Sequence, residues 1–393
     1  MPLRIVHAAD CHLDAPCLSL DARVRARVRA AEREAFTRLC DLAIAREVDA
    51  LVLAGDLFDG SSVRLATRMW LVNELGRVCA AGIHVVVASG NHDPGSRLAG
   101  LAIEWPHERF LLADGPDPVK LELPSGTIVA VGHAHEKLAD NLALTLPPAP
   151  AGTASVAVLH AQVSGSIGAR DRYAPCTPED LIEHGYGYVA LGHVHLRQAV
   201  VADPPAWYAG CLQAHDVGEP GQKGAIVASV EADGRLELEF VPLAPVRFER
   251  VELIDPECAP SQLADRIRAE LGELAAEELI VRVILRGRST LATSLRDPDQ
   301  LAAIEDELAA ELGALAVELR ADRLHPPLDV SRHRGQPHVL GVALELVERA
   351  LSDDALVDEL TPATLAGEHS DRRVYVRSLL EELEVETAEV LLR

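Results

Sequence analysis

Six short runs constrain this 393-residue chain more than any other feature. "LRIVHAA", "VDALVLAG", "IHVVVASG", "TIVAVGH", "ASVAVLH" and "YGYVALGH" are rich in Val, Ile, Leu and Ala and stop abruptly at polar residues. Short apolar runs bounded in this way read as strands buried on both faces. Between the first three lie helix-length segments, "ARVRARVRAAEREAFTRLCDLAIARE" and "RLATRMWLVNELGRVCAAG". Strand, helix and strand at this spacing predict α/β layers. In such folds ligands collect at the carboxyl ends of the strands. Aromatic residues make up only 3% of the chain, so Leu, Val, Ile and Ala must fill the core.

The rhythm divides the chain into three. Residues 1–245 carry the α/β pattern. Residues 246–327 predict a small β-α-β-α-β cap, with strands in "RFERVELI", "ELIVRVILRGRS" and "LAVELRADRL" and a helix opening on Asp-Pro at 297–298. Residues 328–393 begin with the linker "HPPLDVSRHRGQP" and continue into two helices, "HVLGVALELVERALS" and "DRRVYVRSLLEELEVETAEVLLR".

Five strand ends carry ligand-type residues. "HAADCH" supplies Asp10 and His12; "LAGDLFD" supplies Asp56 and Asp59; "ASGNHD" supplies Asn91, His92 and Asp93; "VAVLH" supplies His160; "ALGHVH" supplies His193 and His195. A single histidine after a strand is ordinarily a hydrogen-bonded loop residue, but five clusters in succession are not explained that way. Mixed carboxylate, imidazole and amide donors suit Mn, Fe or Zn rather than an all-oxygen Ca site or a thiolate Zn site. Two ions about 3.5–4 Å apart need a bridging carboxylate and further ligands on each side, and the donor count matches.

D-x-H, G-D-x-x-D, G-N-H-D, a lone His and G-H-x-H, in this order over residues 5–195, resemble the calcineurin-like metallophosphoesterases. Within that superfamily the chain looks like the Mre11/SbcD nuclease branch, and most like its bacterial YhaO-type DNA repair exonucleases. The supporting segments are "DCHLDAP", "GDLFDG", "GNHDPGSRL" and "RYAPCTPEDLIEHGYGYVALGHVHLRQ". The resemblance implies a β-sandwich flanked by helices, plus a small α+β cap and a helical C-terminal tail. It implies two divalent ions, with Mn2+ expected first and Mg2+, Fe or Zn as alternatives. Asp10, His12 and His195 would hold one ion, Asn91, His160 and His193 the other, and Asp56 would bridge them. Water activated by the ions would attack phosphorus in line. His92 would stabilise or protonate the leaving oxygen, with Asp93 orienting it. Asp59 would stand behind the ligands. Arg97, Arg170 and Arg172 are the substrate-binding candidates, and the arginines from Arg23 to Arg38 face either phosphates or solvent.

The implied activity is a DNA phosphodiesterase, a 3′→5′ exonuclease with endonuclease activity as an extension. Its expected partners are DNA ends and an SMC/Rad50/SbcC-like or YhaN-like ATPase docked on the C-terminal tail, with a homodimer as a further expectation. The rivals are a small-molecule phosphodiesterase or phosphatase of the same superfamily, and a non-catalytic metal-bound scaffold for the ATPase. "AGCLQAHD" departs from the branch's pattern, placing Ala209, Cys211, His215 and Asp216 where other residues are usual. A second Gly-His-x-His, at 132–135, lacks a strand-end histidine before it, so His133 and His135 are read as incidental.

The net charge of −24 argues against a chain-wide electrostatic grip on nucleic acid, though not against a local one. Seven scattered cysteines without a C-x-x-C read as reduced thiols. No run approaches the roughly 18–20 apolar residues of a membrane span. A strand-like run from Leu3 leaves no room for a signal peptide, so the expected location is the cytoplasm.

Overall fold

All six runs are strands in the computed structural model. It describes every residue except 18–19, 61–62, 95–103, 107, 169–171, 203–204, 257, 259, 275, 328–332, 363–368 and 392–393. In chain order the first part runs β1 (Leu3–Ala8), α1 (Ala22–Ala45), β2 (Ala50–Ala54), α2 (Leu65–Ala80), β3 (His84–Ala88), β4 (Phe110–Ala113), β5 (Val119–Leu123), β6 (Gly126–Ala130), β7 (Ser155–His160), α3 (Pro178–Ile182) and β8 (Tyr188–Gly192). Then follow β9 (Gln198–Ala202), β10 (Pro205–Tyr208), β11 (Gly224–Val230) and β12 (Leu236–Pro242).

These strands form two six-stranded sheets, ordered β12-β11-β1-β2-β3-β4 and β5-β6-β7-β8-β10-β9. The centre of each is parallel: β1 to β4 in the first, and β6, β7, β8 and β10 in the second. Antiparallel strands finish the edges. Alternation along β2 shows why the runs are uninterrupted. Ala50, Val52 and Ala54 belong to one core cluster with Ile128, Val156, Val158 and Ala190 of the second sheet. Leu51 and Leu53 belong to another, with Phe36, Leu39, Leu71 and Leu75 of α1 and α2. A strand covered on both faces has no polar side to display.

The remaining elements are β13 (Val246–Ile254), α4 (Pro260–Leu271), β14 (Glu278–Arg288), α5 (Leu291–Ser294), α6 (Pro298–Leu312), β15 (Ala316–His325), α7 (Val339–Ser352), α8 (Asp354–Leu360) and α9 (His369–Leu391). β13, β14 and β15 make a three-stranded sheet in that order. α5 and α8 are additions to the elements expected from the sequence. The chain groups into two compact units. One comprises Met1–Val251, Ala264–Val283 and Glu305–Leu319; the other comprises Glu252–Leu263, Ile284–Ile304 and Arg320–Arg393. In the second unit α7 buries Leu340, Leu344, Val347 and Ala350, while α8 and α9 contribute Val357 and Val376. The cysteines are free thiols, six buried and Cys258 half-buried. No helix among the described residues is long and apolar enough to cross a membrane.

Two glycines let the sheets approach where their strands end. Gly55 has φ +92°, and a Cβ there would lie 2.3 Å from His160 Nδ1. Gly192 sits so close to β2 that its Cβ would lie 1.8 Å from the Ala54 carbonyl oxygen, an atom that cannot swing aside. Gly76 is different: it lies within α2 with nothing near its missing side chain. Gly192→Ala should therefore cost about 2–3 kcal/mol by overpacking, whereas Gly76→Ala should gain up to about 1 kcal/mol from helix propensity. Thermal melts of the two variants would show opposite shifts; equal shifts would contradict this packing.

Candidate metal centre

Four non-glycine residues near the ends of β1, β2 and β8 have left-handed backbones: Asp10 (φ 51°), His12 (φ 41°), Asp56 (φ 52°) and His193 (φ 105°). Such conformations cost energy and persist only where neighbours over-determine them. The neighbours are visible here. The Asp10 amide donates to Gly55 O at 3.0 Å and the His12 amide to Asp56 O at 3.0 Å, so the segments leaving β1 and β2 are tied together. The His193 amide donates to the Asp10 carboxylate at 3.0 Å, and the His92 amide to Asp56 Oδ1 at 2.9 Å.

These ties gather the side chains. His12 Nε2 and His195 Nε2 face each other at 3.1 Å. Asn91 Oδ1 lies 3.1 Å from His160 Nε2 and 3.3 Å from His193 Nδ1. Asp56 Oδ2 stands between the two groups, 3.3 Å from His160 Nε2 and 3.6 Å from His12 Nε2. Asp10, His12 and His195 offer three donor atoms within 4.8 Å of one another, and so do Asp10, Asp56 and His160. All seven residues singled out as ligands in the sequence therefore lie in one cluster, with Asp56 at its middle.

The tautomers follow from the outer contacts. His160 Nδ1 meets the Ala54 carbonyl at 2.9 Å, which leaves Nε2 as the atom facing Asn91 and Asp56. Opposing effects act on the ionisable groups of the cluster. Burial opposes a charge on His160, yet Asp56 and Asp10 lift its imidazole to about 9. Burial would raise the Asp56 carboxyl, but His160 and His12 hold it well below the usual carboxylate range. For His12 burial wins, and its imidazole is shifted downward. Two imidazole nitrogens aimed at each other beside buried carboxylates form a donor set that fits divalent cations.

His92 stands at the exposed edge, its side chain 42% accessible and its ring centroid 4.9 Å from that of His12. Its Nδ1 lies 3.2 Å from Asp59 Oδ1, which raises the His92 imidazole. Asp59 also faces His12 Nδ1 at 3.3 Å. Burial opposes ionisation of Asp59, but these two histidines keep its carboxyl low. Asp93, expected to orient His92, takes backbone amides instead: Gly90 at 2.7 Å, Asp56 at 2.9 Å and Phe58 at 3.2 Å. It ties the turn after β3 to the segment after β2, while the carboxylate on His92 Nδ1 is that of Asp59.

Among the substrate-binding candidates, Arg97 and Arg170 lie outside the described residues, and Arg172 is exposed. The arginines of α1 have intramolecular partners. Arg27 reaches Glu278 and Glu34, Arg38 reaches Glu277 and Glu34, Arg33 reaches Asp14 and Thr67, and Arg29 donates to the Ala15 and Pro16 carbonyls. His133 is buried, with Nε2 2.8 Å from the His160 carbonyl oxygen, and burial lowers its imidazole to about 4. It supports the backbone of a cluster residue and belongs to none of the close donor groups found among the described residues. His135 is exposed. Sequence reasoning left Glu219 out altogether: its carboxylate lies 2.5 Å from His195 Nδ1. No spacing in the sequence joins it to that histidine.

Residues 3–197 match the family model described as calcineurin-like phosphoesterase. A Bacillus subtilis (strain 168) protein described as the uncharacterized metallophosphoesterase YhaO is 33% identical over 258 residues, which are 63% of this chain and 62% of that protein. A Methanopyrus kandleri protein named DNA double-strand break repair protein Mre11 is 25% identical, covering 88% of this chain and 77% of that one. A Sulfurisphaera tokodaii protein of the same name is 27% identical over 51% of each chain. The matched residues contain the whole donor cluster, and the chain carries a calcineurin-like metallophosphoesterase domain.

Proposed function

We propose that the chain is a cytoplasmic DNA phosphodiesterase acting at DNA ends, a 3′→5′ exonuclease with endonuclease activity as an extension, together with an SMC/Rad50-like ATPase. The observation that carries the reading is His92, held by Asp59 at the open edge of a seven-residue donor cluster of which Asp10, His12, Asp56, Asn91 and His160 are buried. A scaffold needs no such group, whereas hydrolysis needs a proton donor beside the scissile bond. The relatives named as DNA double-strand break repair proteins support DNA as substrate. Two divalent ions, with Mn2+ as the first candidate, would supply charge for the phosphoryl oxygens and acidity for the attacking water. Asp10, His12 and His195 would hold one, Asn91, His160 and His193 the other, and Asp56 both. The protein's own part is to fix the donors, to shield them between the sheets, and to place the His92 imidazole where a leaving oxygen departs.

The tail carries the partner proposal. α7 exposes Val339, Val342 and Leu346, and α9 exposes Tyr375, Leu379 and Leu383, spacings that line one helix face. Apolar stripes of this kind suit a helical partner laid along them. A coiled-coil segment of the ATPase is the occupant we assign, the heptad surface of a coiled coil being the matching chemistry.

Purified protein with Mn2+ should shorten end-labelled double-stranded DNA as well as cleave bis-p-nitrophenyl phosphate. Cleavage of the small ester alone would favour a small-molecule phosphodiesterase. His92→Gln should still bind two Mn2+ by elemental analysis while turnover falls roughly 10²–10⁴-fold, the usual worth of a positioned acid; loss of metal instead would make His92 a ligand. Leu379→Lys with Leu383→Lys should abolish co-purification with the ATPase and leave bis-p-nitrophenyl phosphate hydrolysis unchanged. Retained co-purification would place the partner elsewhere.

A further inference from the structure

The segment between β10 and β11 closes on one histidine. His195 Nδ1 lies 2.5 Å from Glu219 Oε1. The other oxygen of that carboxylate accepts the His215 amide at 2.9 Å, stands 3.7 Å from Cys211 Sγ and lies 3.7 Å from His215 Nδ1. Glu219 is therefore fixed from both sides. The His195 carbonyl is held as well, accepting from the Cys211 amide at 3.2 Å and from Lys223 Nζ at 3.1 Å. Lys223 is itself buried. The ring, its outer nitrogen and its backbone are all set by residues 211–223.

The consequence is directional. An imidazole has two nitrogens, and the hydrogen bond at one decides which lone pair is left for a ligand. With Nδ1 given to Glu219, the nitrogen left on His195 is Nε2, which faces His12 Nε2 at 3.1 Å. His160 is oriented by the same logic through a neutral acceptor, the Ala54 carbonyl. The two halves of the cluster thus differ: one histidine is backed by a carboxylate, the other by a peptide oxygen. A carboxylate behind a metal-binding histidine also raises the basicity of the ligating nitrogen.

We propose that Glu219 is the positioning residue for His195. It accepts the Nδ1 proton, fixes ring plane and tautomer, and so directs Nε2 to the ion shared with Asp10 and His12, without ligating that ion itself. This rests on the metal-centre reading above. The departure of residues 209–216 from the branch's pattern then has a use, since Cys211 and His215 are the groups that hold Glu219 in place.

The test is Mn2+ binding by titration calorimetry to the full chain and to Glu219→Gln and Glu219→Ala, with His160→Ala as the reference that weakens the other ion. Both Glu219 variants should keep one ion at wild-type affinity and weaken the other about 10–100-fold. The loss should be smaller for Gln, which retains an acceptor for Nδ1. Thermal melts of the metal-free Gln variant should match the parent. In Zn2+-loaded protein labelled with 15N-histidine, His195 should show a protonated Nδ1 and a metal-bound Nε2. Wild-type affinity for both ions in Glu219→Ala, or Zn2+ on His195 Nδ1, would overturn the positioning role alone. A parent protein that takes up no Mn2+ would overturn both this role and the metal-centre reading.

Discussion

Burying Asp10, Asp56 and His160 side by side, with no exposure above 2% among them, is the constraint on which the rest of this domain depends. Charged groups taken from water are costly unless paired and hydrogen-bonded. The domain meets that cost with backbone donors: the His193 amide on Asp10, the His92 amide on Asp56, and three amides on Asp93. Those amides are available only because the segments leaving β1, β2, β3 and β8 depart from extended geometry together. The left-handed residues, the close glycines and the small side chains Ala54, Ala88 and Ala190 between the sheets are parts of one solution. Strands that lean together at their carboxyl ends need small residues there.

Much of this was legible in the sequence, for a physical reason. Strands buried on both faces must be continuous apolar runs, so β1, β2, β3, β6, β7 and β8 announce themselves, and their ends announce the cluster. β5 and β12 do not, because half-exposed edge strands such as "VKLEL" and "LELEFVP" mix polar and apolar residues as loops do. Gly55 and Gly192 stand in the G-D-x-x-D and G-H-x-H motifs, but the motifs do not say why each position is glycine. Gly55 does need a left-handed backbone, whereas Gly192 is required by the carbonyl opposite it.

The groups behind the ligands were the least legible. Asp59 and Asp93 sit in recognisable motifs, yet sequence alone could not say that Asp59 takes His92 while Asp93 takes amides. Glu219 lies 24 residues after its histidine, in a turn with no periodicity to mark it. A residue that holds a ligand is chosen by where the chain returns in space, and that is a property of topology rather than of local pattern. His133 makes the converse point. Its motif copies that of His193, yet its imidazole ends on a backbone carbonyl, because β6 lies one strand further from the cluster's centre than β7.

Charge sets the last condition on the proposed activity. The chain carries −24, and arginines of α1 are engaged with Glu34, Glu277, Glu278, Asp14 and backbone carbonyls. A polyanion gains little from approaching such a surface, since its affinity comes mainly from cations that displace its counterions. Two divalent ions would add four positive charges at one point, at the mouth where His92 stands exposed. On the proposed reading, ions held by these residues would supply charge for substrate binding as well as acidity for the attacking water, and DNA binding should itself require metal loading. That dependence separates this arrangement from nucleases whose lysine and arginine surfaces hold DNA whether or not the metal is bound.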